Sequence, residues 1–229
     1  MRATLSAALA LVLLASSAVA QPASPEKLRA IMNEGLETAM VVVMDTSGSM
    51  RDRPQTGGDV SKIDIAKQAL GAFLQGLPPD VQVGMMIFWG CQPRWMAELG
   101  KSSRDDVLKR VSEMQARGST PIVSSLNAAY EALKVRREKN PYGRYIVLLI
   151  TDGEETCSPP AQVGEAADRI TKAGVELHSI GFDLPSADSQ LKKMSTKYYL
   201  ASDSKELEAG LQSVQGELAV DGGIDAIGK

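Results

Sequence analysis

The stretch VVVMDTSGSM, residues 41–50, joins a run of four apolar residues to an aspartate and then to a loop of small polar residues. A continuous apolar run of this kind predicts a strand that is buried on both faces of a sheet. Asp45, Ser47 and Ser49 place one carboxylate and two hydroxyls where that strand ends. Gly48 allows the tight turn that would aim the two hydroxyls at one point. The stretch therefore predicts a buried strand that ends in an oxygen-rich binding loop.

Apolar strand-like runs and amphipathic helical patterns alternate along the rest of the chain. The predicted strands are 39–45, 81–89, 144–152, 174–182 and 197–201, with an antiparallel edge hairpin at 94–99. The predicted helices are 61–77, 103–115, 120–137, 160–173 and 202–214. Such alternation is typical of a parallel sheet covered on both faces. We therefore expect an α/β fold: a doubly wound, mostly parallel, Rossmann-like central sheet with helices on both faces and one antiparallel edge strand.

The first twenty residues are typical of a secretory signal peptide, with a charge at Arg2, an apolar core and small residues at Ala18 and Ala20. That apolar run is too short to indicate a membrane span, and no later segment indicates one. We expect cleavage before Gln21 and a periplasmic or secreted protein. The predicted organisation is a signal peptide at 1–20, a leader at 21–37, one domain at 38–215 and a flexible tail at 216–229.

The charge and histidine content exclude several classes of function. The chain has 25 basic and 28 acidic residues, a formal net charge of −3, and its basic residues are scattered. This composition does not indicate a surface for nucleic acid or anionic lipid. With one histidine and two cysteines, the chain lacks the ligands of a structural zinc site. His178 lies within a strand pattern, which predicts a core residue.

Two cysteines, Cys91 and Cys157, remain after the predicted signal peptide. An even number of cysteines in an exported chain favours a disulfide, although two independent thiols stay possible. One follows the second strand and the other follows the loop at 151–156, so both are expected at one edge of the sheet. We predict that they pair and that the bridge holds the loop after Asp152 in register.

Three oxygen-rich loops are expected to meet at that same edge, because ligands of open α/β sheets bind beyond the carboxyl ends of the strands. The first loop contains Asp45, Ser47 and Ser49, the second contains Thr120 in GSTP, and the third contains Asp152 in TDGEET. Carboxylates and hydroxyls without imidazole or thiolate favour Mg²⁺, with Mn²⁺ or Ca²⁺ as alternatives. The helix that begins after Thr120 would add positive potential at the edge and favour an anion.

These motifs, in this order, resemble the metal-ion-dependent adhesion site of von Willebrand factor type A domains. DGEETC at 152–157 and IGFDL at 180–184 resemble the bacterial exported branch in particular. The resemblance covers residues 38–215 and implies a non-enzymatic protein-binding module. It implies that an Asp or Glu of a partner completes the coordination of the metal. It also implies that the hydroxyls bind the ion directly and that the aspartates act largely through water. The implied metal residues are Asp45, Ser47, Ser49, Thr120 and Asp152.

Other interpretations stay open at this point. In one, the same oxygens serve a metal-dependent, phosphatase-like hydrolase. In another, the metal only holds the loops together and has no partner. Glu154 and Glu155 either tune the metal or are solvated loop charges. Trp89 and Trp95 either contact a partner or pack against a helix. The loop at 51–59 is predicted to be mobile and to affect specificity, and the sequence does not predict the oligomeric state.

Overall fold

Six strands form the central sheet of the computed structural model, which describes residues 37–184 and 190–221. They are β1 (Thr38–Met44), β2 (Gln82–Trp89), β3 (Gln92–Ala97), β4 (Arg144–Thr151), β5 (Glu176–Phe182) and β6 (Lys197–Ala201). Their spatial order is β3-β2-β1-β4-β5-β6. β3 runs antiparallel to β2 at one edge, and every other neighbouring pair is parallel. The predicted mostly parallel sheet with one antiparallel edge strand is confirmed.

Six α-helices and one 3-10 turn complete the described part of the chain. The helices are α1 (Lys62–Gly76), α2 (Arg104–Ser112), α3 (Ile122–Lys139), α4 (Ala161–Lys172), α5 (Gln190–Met194) and α6 (Ser204–Asp221). Ser61 accepts a hydrogen bond from the Asp64 amide at the start of α1, and Ser103 forms a capping box with Asp106 at the start of α2. The 3-10 turn at Gly48–Arg51 and the short α5 were not predicted from the sequence.

The sheet is buried on both faces, which explains why its strands are continuously apolar. In β1, Met40 and Val42 belong to a core cluster shared with α1, α2 and α6. Val41 and Val43 belong to a second cluster shared with α3 and α4. Because successive strand residues point to opposite faces, each residue of β1 from Ala39 to Met44 is placed in one core or the other.

The strand order reverses between β1 and β4, and this reversal positions the candidate site. β1 lies between β2 and β4, so the loops that follow β1 and β4 leave neighbouring strands in the same direction. The Asp45 amide extends this pairing by donating to Ile150 O at 2.8 Å. Asp45 and Asp152 are therefore brought together at the switch point where α/β sheets bind ligands.

The ends of the chain fall largely outside the described residues. The predicted signal peptide at 1–20 and all of the leader at 21–37 except Glu37 lie there, as do residues 222–229. α6 continues to Asp221, past residue 216 where the sequence predicts a flexible tail. Leu218 is buried and Glu217 accepts hydrogen bonds from the sheet, which extends the helix. Among the described helices, none is long and apolar enough to cross a membrane.

An ion-pair network joins β4 to β5 at the amino end of the sheet. Arg144 donates to both carboxylate oxygens of Glu176, at 2.7 and 3.0 Å, and His178 Nε2 lies 2.8 Å from Glu176 Oε2. Burial acts to raise the pKa of Glu176, but the hydrogen bonds from His178 and Arg144 outweigh it and lower the pKa to about 2. His178 is fully buried.

Replacing Glu176 by glutamine should lower the free energy of unfolding by about 2 kcal/mol at about pH 7. Because folding lowers the pKa of this carboxyl, its contribution is present above its ordinary value of 4.5 and is lost as pH falls towards about 2. Urea unfolding of the two proteins across that range should give curves that converge in acid. Glu165→Gln, at an exposed position of α4, is the control and should match wild type throughout. A difference between E176Q and wild type that persists in acid would contradict the assignment.

Candidate metal site

Asp45 ends β1 as a fully buried carboxylate whose two oxygens are both engaged by the chain. Oδ1 accepts from the Ser47 amide at 2.7 Å, and Oδ2 accepts from the Thr151 hydroxyl at 2.5 Å. Burial and then the charge of Asp152 raise the pKa of Asp45 to about 6, although the hydrogen bonds from Thr151 and Ser47 act in the opposite direction. A bound cation would offset the cost of this buried charge.

Three side-chain oxygens from two loops lie at the spacing of neighbouring ligands around Mg²⁺. Ser47 Oγ lies 3.0 Å from Ser49 Oγ, which donates to Asp152 Oδ1 at 2.8 Å. Octahedral ligands at about 2.0–2.1 Å from Mg²⁺ are separated by about 2.9 Å when they are adjacent. The two contact distances are therefore compatible with adjacent ligands of one magnesium ion.

The loop that contains Thr120 is bonded to both of the other loops. The Gly48 amide donates to Gly118 O at 3.0 Å, and the Thr120 amide donates to the Thr156 hydroxyl at 2.8 Å. Thr120 Oγ1 faces Gly153, where an added Cβ would lie 3.7 Å from it. Direct contacts thus join Asp45 to Ser47, Ser47 to Ser49 and Ser49 to Asp152, and backbone bonds place Thr120 beside them.

A buried lysine enters the site from α1, and sequence reasoning missed it. Lys62 Nζ lies 2.8 Å from Asp152 Oδ2 and 3.3 Å from Asp183 Oδ2, and its side chain is 9% exposed. Asp152 Oδ2 is buried and accepts no hydrogen bond of good geometry from the described residues, so its ion pair with the ammonium compensates its charge. Burial lowers the pKa of Lys62, but Asp152 and then Asp183 outweigh this effect and raise it. Lys62 is therefore a charged counterion of the site.

One feature of the sequence carried a signal for this group, the position of Lys62 in its helix. Lys62 shares the helical spacing of Ala66, Ala69 and Phe73, all of which are buried in α1. A lysine in an apolar stripe needs an internal partner. Asp183 adopts a left-handed φ of 54° directly after β5, which aspartate tolerates better than most residues.

Asp183 also anchors the loop at 51–59, which the sequence predicts to be mobile. The Gln55 amide donates to Asp183 Oδ1 at 3.0 Å, and the Thr56 hydroxyl donates to Ser202 O at 3.0 Å. Pro54 is buried, whereas the rest of the loop is exposed. The loop thus lies beside the site and is linked to Asp152 through Lys62.

Glu154 and Glu155 separate clearly in the structure, since Glu154 is exposed and Glu155 is 8% exposed. Glu155 Oε2 accepts from the Val123 amide at 2.6 Å, and Oε1 accepts from the Cys157 and Ser158 amides at 2.6 and 2.9 Å. Glu155 is therefore neither a solvated charge nor free to approach a metal. It also occupies the amino end of α3, where the sequence predicts attraction of an outside anion, so the chain's own carboxylate uses that potential.

The predicted disulfide between Cys91 and Cys157 is confirmed, with a Cα separation of 5.4 Å. It joins the turn between β2 and β3 to the loop that follows Asp152. The adjoining Glu155 contacts hold the same loop against α3. The bridge is therefore placed to restrain the position of Asp152.

Replacing both cysteines by serine should weaken Mg²⁺ binding by about threefold to tenfold, because the Asp152 loop loses a restraint. The same change should lower the free energy of unfolding by about 2–4 kcal/mol. Isothermal titration calorimetry with Mg²⁺ on folded protein separates the two effects. Unchanged affinity in the double variant would show that the bridge only stabilises the fold.

The two tryptophans, left open by the sequence, differ in environment. Trp95 is partly buried and packs against the core cluster on the α3 side of the sheet. Trp89 is 40% exposed at the end of β2, where the guanidinium groups of Arg94 and Arg117 stack on its ring. Of the two alternatives, packing describes Trp95, whereas Trp89 is exposed enough to contact a partner.

A second group of potential ligands lies at the opposite edge of the sheet. Ligand atoms of Glu176, His178 and Glu217 lie within 4.8 Å of one another. Arg144 pairs with Glu176, and Lys197 pairs with Glu217 at 3.1 Å. Because these cations already neutralise the carboxylates, the group fits a structural network better than a metal site.

Residues 40–155 match the family model of the von Willebrand factor type A domain. The uncharacterized protein YwmD of Bacillus subtilis (strain 168) is 28% identical over 195 residues, which are 75% of this chain and 82% of YwmD. The uncharacterized protein YwmC of the same organism is 29% identical over 160 residues, which are 63% of this chain and 66% of YwmC.

Solved structures share the fold at low sequence identity. The pilus adhesin SpaC of Lactobacillus rhamnosus GG matches with a TM-score of 0.66 and 17% identity, over 80% of this chain and 31% of SpaC. The vWF domain of the type V pili tip protein Mfa5 of Porphyromonas gingivalis matches with a TM-score of 0.67 and 12% identity, over 81% of this chain and 96% of that domain. Both confirm the fold class that the sequence predicts.

Proposed function

The chain belongs to the von Willebrand factor type A domain family, and we propose that it is an exported, non-enzymatic module that binds another protein through a divalent cation. The residues that would hold the cation are Asp45, Ser47, Ser49, Thr120 and Asp152. When bound, Mg²⁺ supplies a coordination position for an Asp or Glu side chain of the partner.

The observation that carries this proposal is the contact of Ser47, Ser49 and Asp152 from two different loops. Their oxygens lie 3.0 and 2.8 Å apart, which matches adjacent ligands of Mg²⁺. Ser49 is exposed, so a ligand from outside can approach this end of the cluster. Mn²⁺ shares the oxygen preference, and Ca²⁺ would require a wider arrangement.

The charges around the cluster favour an external carboxylate. Lys62 pairs with Asp152, and both oxygens of Asp45 accept hydrogen bonds from the chain. The oxygens of Ser47 and Ser49 are neutral. Because the hydroxyls are neutral and the aspartates are already engaged by the chain, a bound dication would keep much of its positive charge. An acidic side chain of a partner would offset that charge.

Export is supported by the signal-like residues 1–20 and by the disulfide, because disulfides persist in oxidising compartments. Two of the structural neighbours are named as a pilus adhesin and a pilus tip protein. We extend protein binding from them to this chain as part of the proposal.

Affinity capture from an envelope extract of the source organism tests the proposal. Wild-type protein in Mg²⁺ should retain its partners. The same partners should be absent when wild type is in EDTA and when Thr120→Ala is used in Mg²⁺. Thr171→Ala is the matched control, because the Thr171 hydroxyl bonds within α4. Partners retained equally by T120A and in EDTA would contradict binding through the metal.

The non-enzymatic part of the proposal has its own test. Lys62 provides a buried ammonium that a phosphatase-like site would need, but two carboxylates hold it, and Ser47 stands where such an enzyme needs a second acid. Phosphatase and esterase substrates should therefore give no metal-dependent turnover. Turnover that requires Mg²⁺ and disappears with Asp45→Ala would favour the hydrolase instead.

A further inference from the structure

An exposed aromatic and cationic surface lies at the carboxyl end of β2. Trp89 is 40% exposed, and the guanidinium carbons of Arg117 and Arg94 lie 3.5 and 4.6 Å from the centroid of its ring. Both arginines are exposed. We call Trp89, Arg94 and Arg117 the Trp–Arg surface. It borders a groove of about 410 Å³ that Trp95 and Met96 also line.

The backbone of this surface is bonded to the first metal loop. The Arg117 amide donates to Thr46 O at 2.5 Å, and the Thr46 hydroxyl donates to Phe88 O at 2.8 Å. Thr46 therefore links the residue before Trp89 to Arg117, and it lies between Asp45 and Ser47 in the chain. A partner bound at the metal would lie next to the Trp–Arg surface.

The two arginines carry charge that no described carboxylate neutralises through an ion pair. Within residues 37–184 and 190–221, neither Arg94 nor Arg117 forms an ion pair within 4.0 Å, whereas Arg110 in the same groove pairs with Glu113 at 2.9 Å. Stacking on Trp89 engages the faces of the guanidinium groups and leaves their N–H edges available as donors. Stacking also restricts the side chains, which lowers the entropy lost when they bind an anion.

We propose that the Trp–Arg surface binds a second carboxylate of the same partner segment whose first carboxylate completes the metal. This inference rests on the proposed function and specifies the partner: a segment with two acidic residues. The planar arginine fork matches a carboxylate, and Trp89 offers apolar contact to its side-chain carbons. The protein is acidic overall, with a net charge of −3, so this local positive charge selects a short acidic segment rather than a polyanion such as nucleic acid.

Labelled Gly-Ser peptides test the two contacts separately. One peptide carries a single Asp, and a series adds one Glu at successive positions on either side of it. Binding is measured by fluorescence anisotropy in Mg²⁺ and in EDTA. The indole N–H signals in an NMR spectrum report contact at the surface, since the chain has two tryptophans. Trp89→Phe assigns the signal of Trp89.

At least one peptide with a second acid should bind wild type about tenfold more tightly than the single-Asp peptide in Mg²⁺. It should shift the Trp89 indole signal. The double variant Arg94→Gln/Arg117→Gln should lose this gain and keep the Mg²⁺-dependent binding of the single-Asp peptide. Arg53→Gln, an exposed arginine paired with Asp59 on the loop at 51–59, removes a charge elsewhere and should keep the gain.

The outcomes distinguish the two proposals. If wild type binds the single-Asp peptide equally well in Mg²⁺ and in EDTA, the metal-based function is contradicted. If no second acid strengthens binding, or if the gain survives in the double variant, the Trp–Arg surface does not bind a carboxylate. A short single-stranded oligonucleotide that binds more tightly than every peptide would overturn the assignment to an acidic protein segment.

Discussion

Asp152→Asn should abolish the stabilisation of this protein by Mg²⁺. Wild type is expected to gain about 2.7 kcal/mol of unfolding free energy when Mg²⁺ is about 100 times its dissociation constant. The asparagine side chain would keep an oxygen that accepts from Ser49 but would lose the negative charge that attracts the cation. We expect Mg²⁺ affinity to fall by at least about 100-fold, as measured by calorimetry and by thermal unfolding with and without the ion.

Asp168→Asn is the matched control for this change, because Asp168 is an exposed carboxylate of α4 that pairs with Lys172. It should leave the Mg²⁺ response unchanged. Ser49→Ala provides a second test of the site, since it removes the hydroxyl that donates to Asp152 Oδ1 and keeps both aspartates. An Mg²⁺ response that persists in both D152N and S49A would place the bound ion elsewhere.

Lys62→Met should destabilise the metal-free protein strongly and the metal-bound protein less. Without Mg²⁺, removal of the ammonium leaves Asp152 and Asp183 buried without their counterion, which costs about 3–5 kcal/mol of unfolding free energy. With Mg²⁺, part of this loss should be recovered, because a dication then compensates Asp152. We also expect Mg²⁺ to bind about tenfold more tightly, because the charge of Lys62 no longer opposes it.

Thermal unfolding at a series of Mg²⁺ concentrations measures both effects in one experiment. Lys67→Met is the control on the same helix, since Lys67 pairs with Asp64 at the surface of α1 and should change neither quantity strongly. Lys62→Gln keeps a hydrogen-bond donor and should give a smaller version of the same pattern. Equal or weaker Mg²⁺ affinity in K62M would show that Lys62 supports the metal site instead of competing with the ion.

The fold was predictable because its strongest signals are local. Each residue of the apolar run in β1 is buried in one of two cores, so the run had to be a central strand of a sheet covered on both faces. The serine caps at Ser61 and Ser103 marked two helix starts. The extension of α6 to Asp221 depends on contacts of Glu217 with Lys197 and Tyr199 in β6, which no local pattern encodes.

The meeting of the oxygen-rich loops was predictable because β1 and β4, which Asp45 and Asp152 follow, are adjacent strands. The charges that surround them were not. Lys62 occupies a core-facing position of its helix, but the sequence does not identify Asp152 as its partner. Glu155 reads as a loop charge until the Val123 amide is found to donate to it. Both roles depend on pairs of residues far apart in the chain, which spacing alone does not bring together.

The most direct test of the account is the anomalous diffraction of Mn²⁺ in crystals of the protein. We predict one strong peak at the carboxyl edge of the sheet, within about 2.2 Å of the hydroxyl oxygens of Ser47 and Ser49. Thr120, Asp45 and Asp152 should surround the same peak. A strong peak beside Glu176, His178 and Glu217, or no peak near the two serines, would contradict the claim that these loops hold one divalent ion.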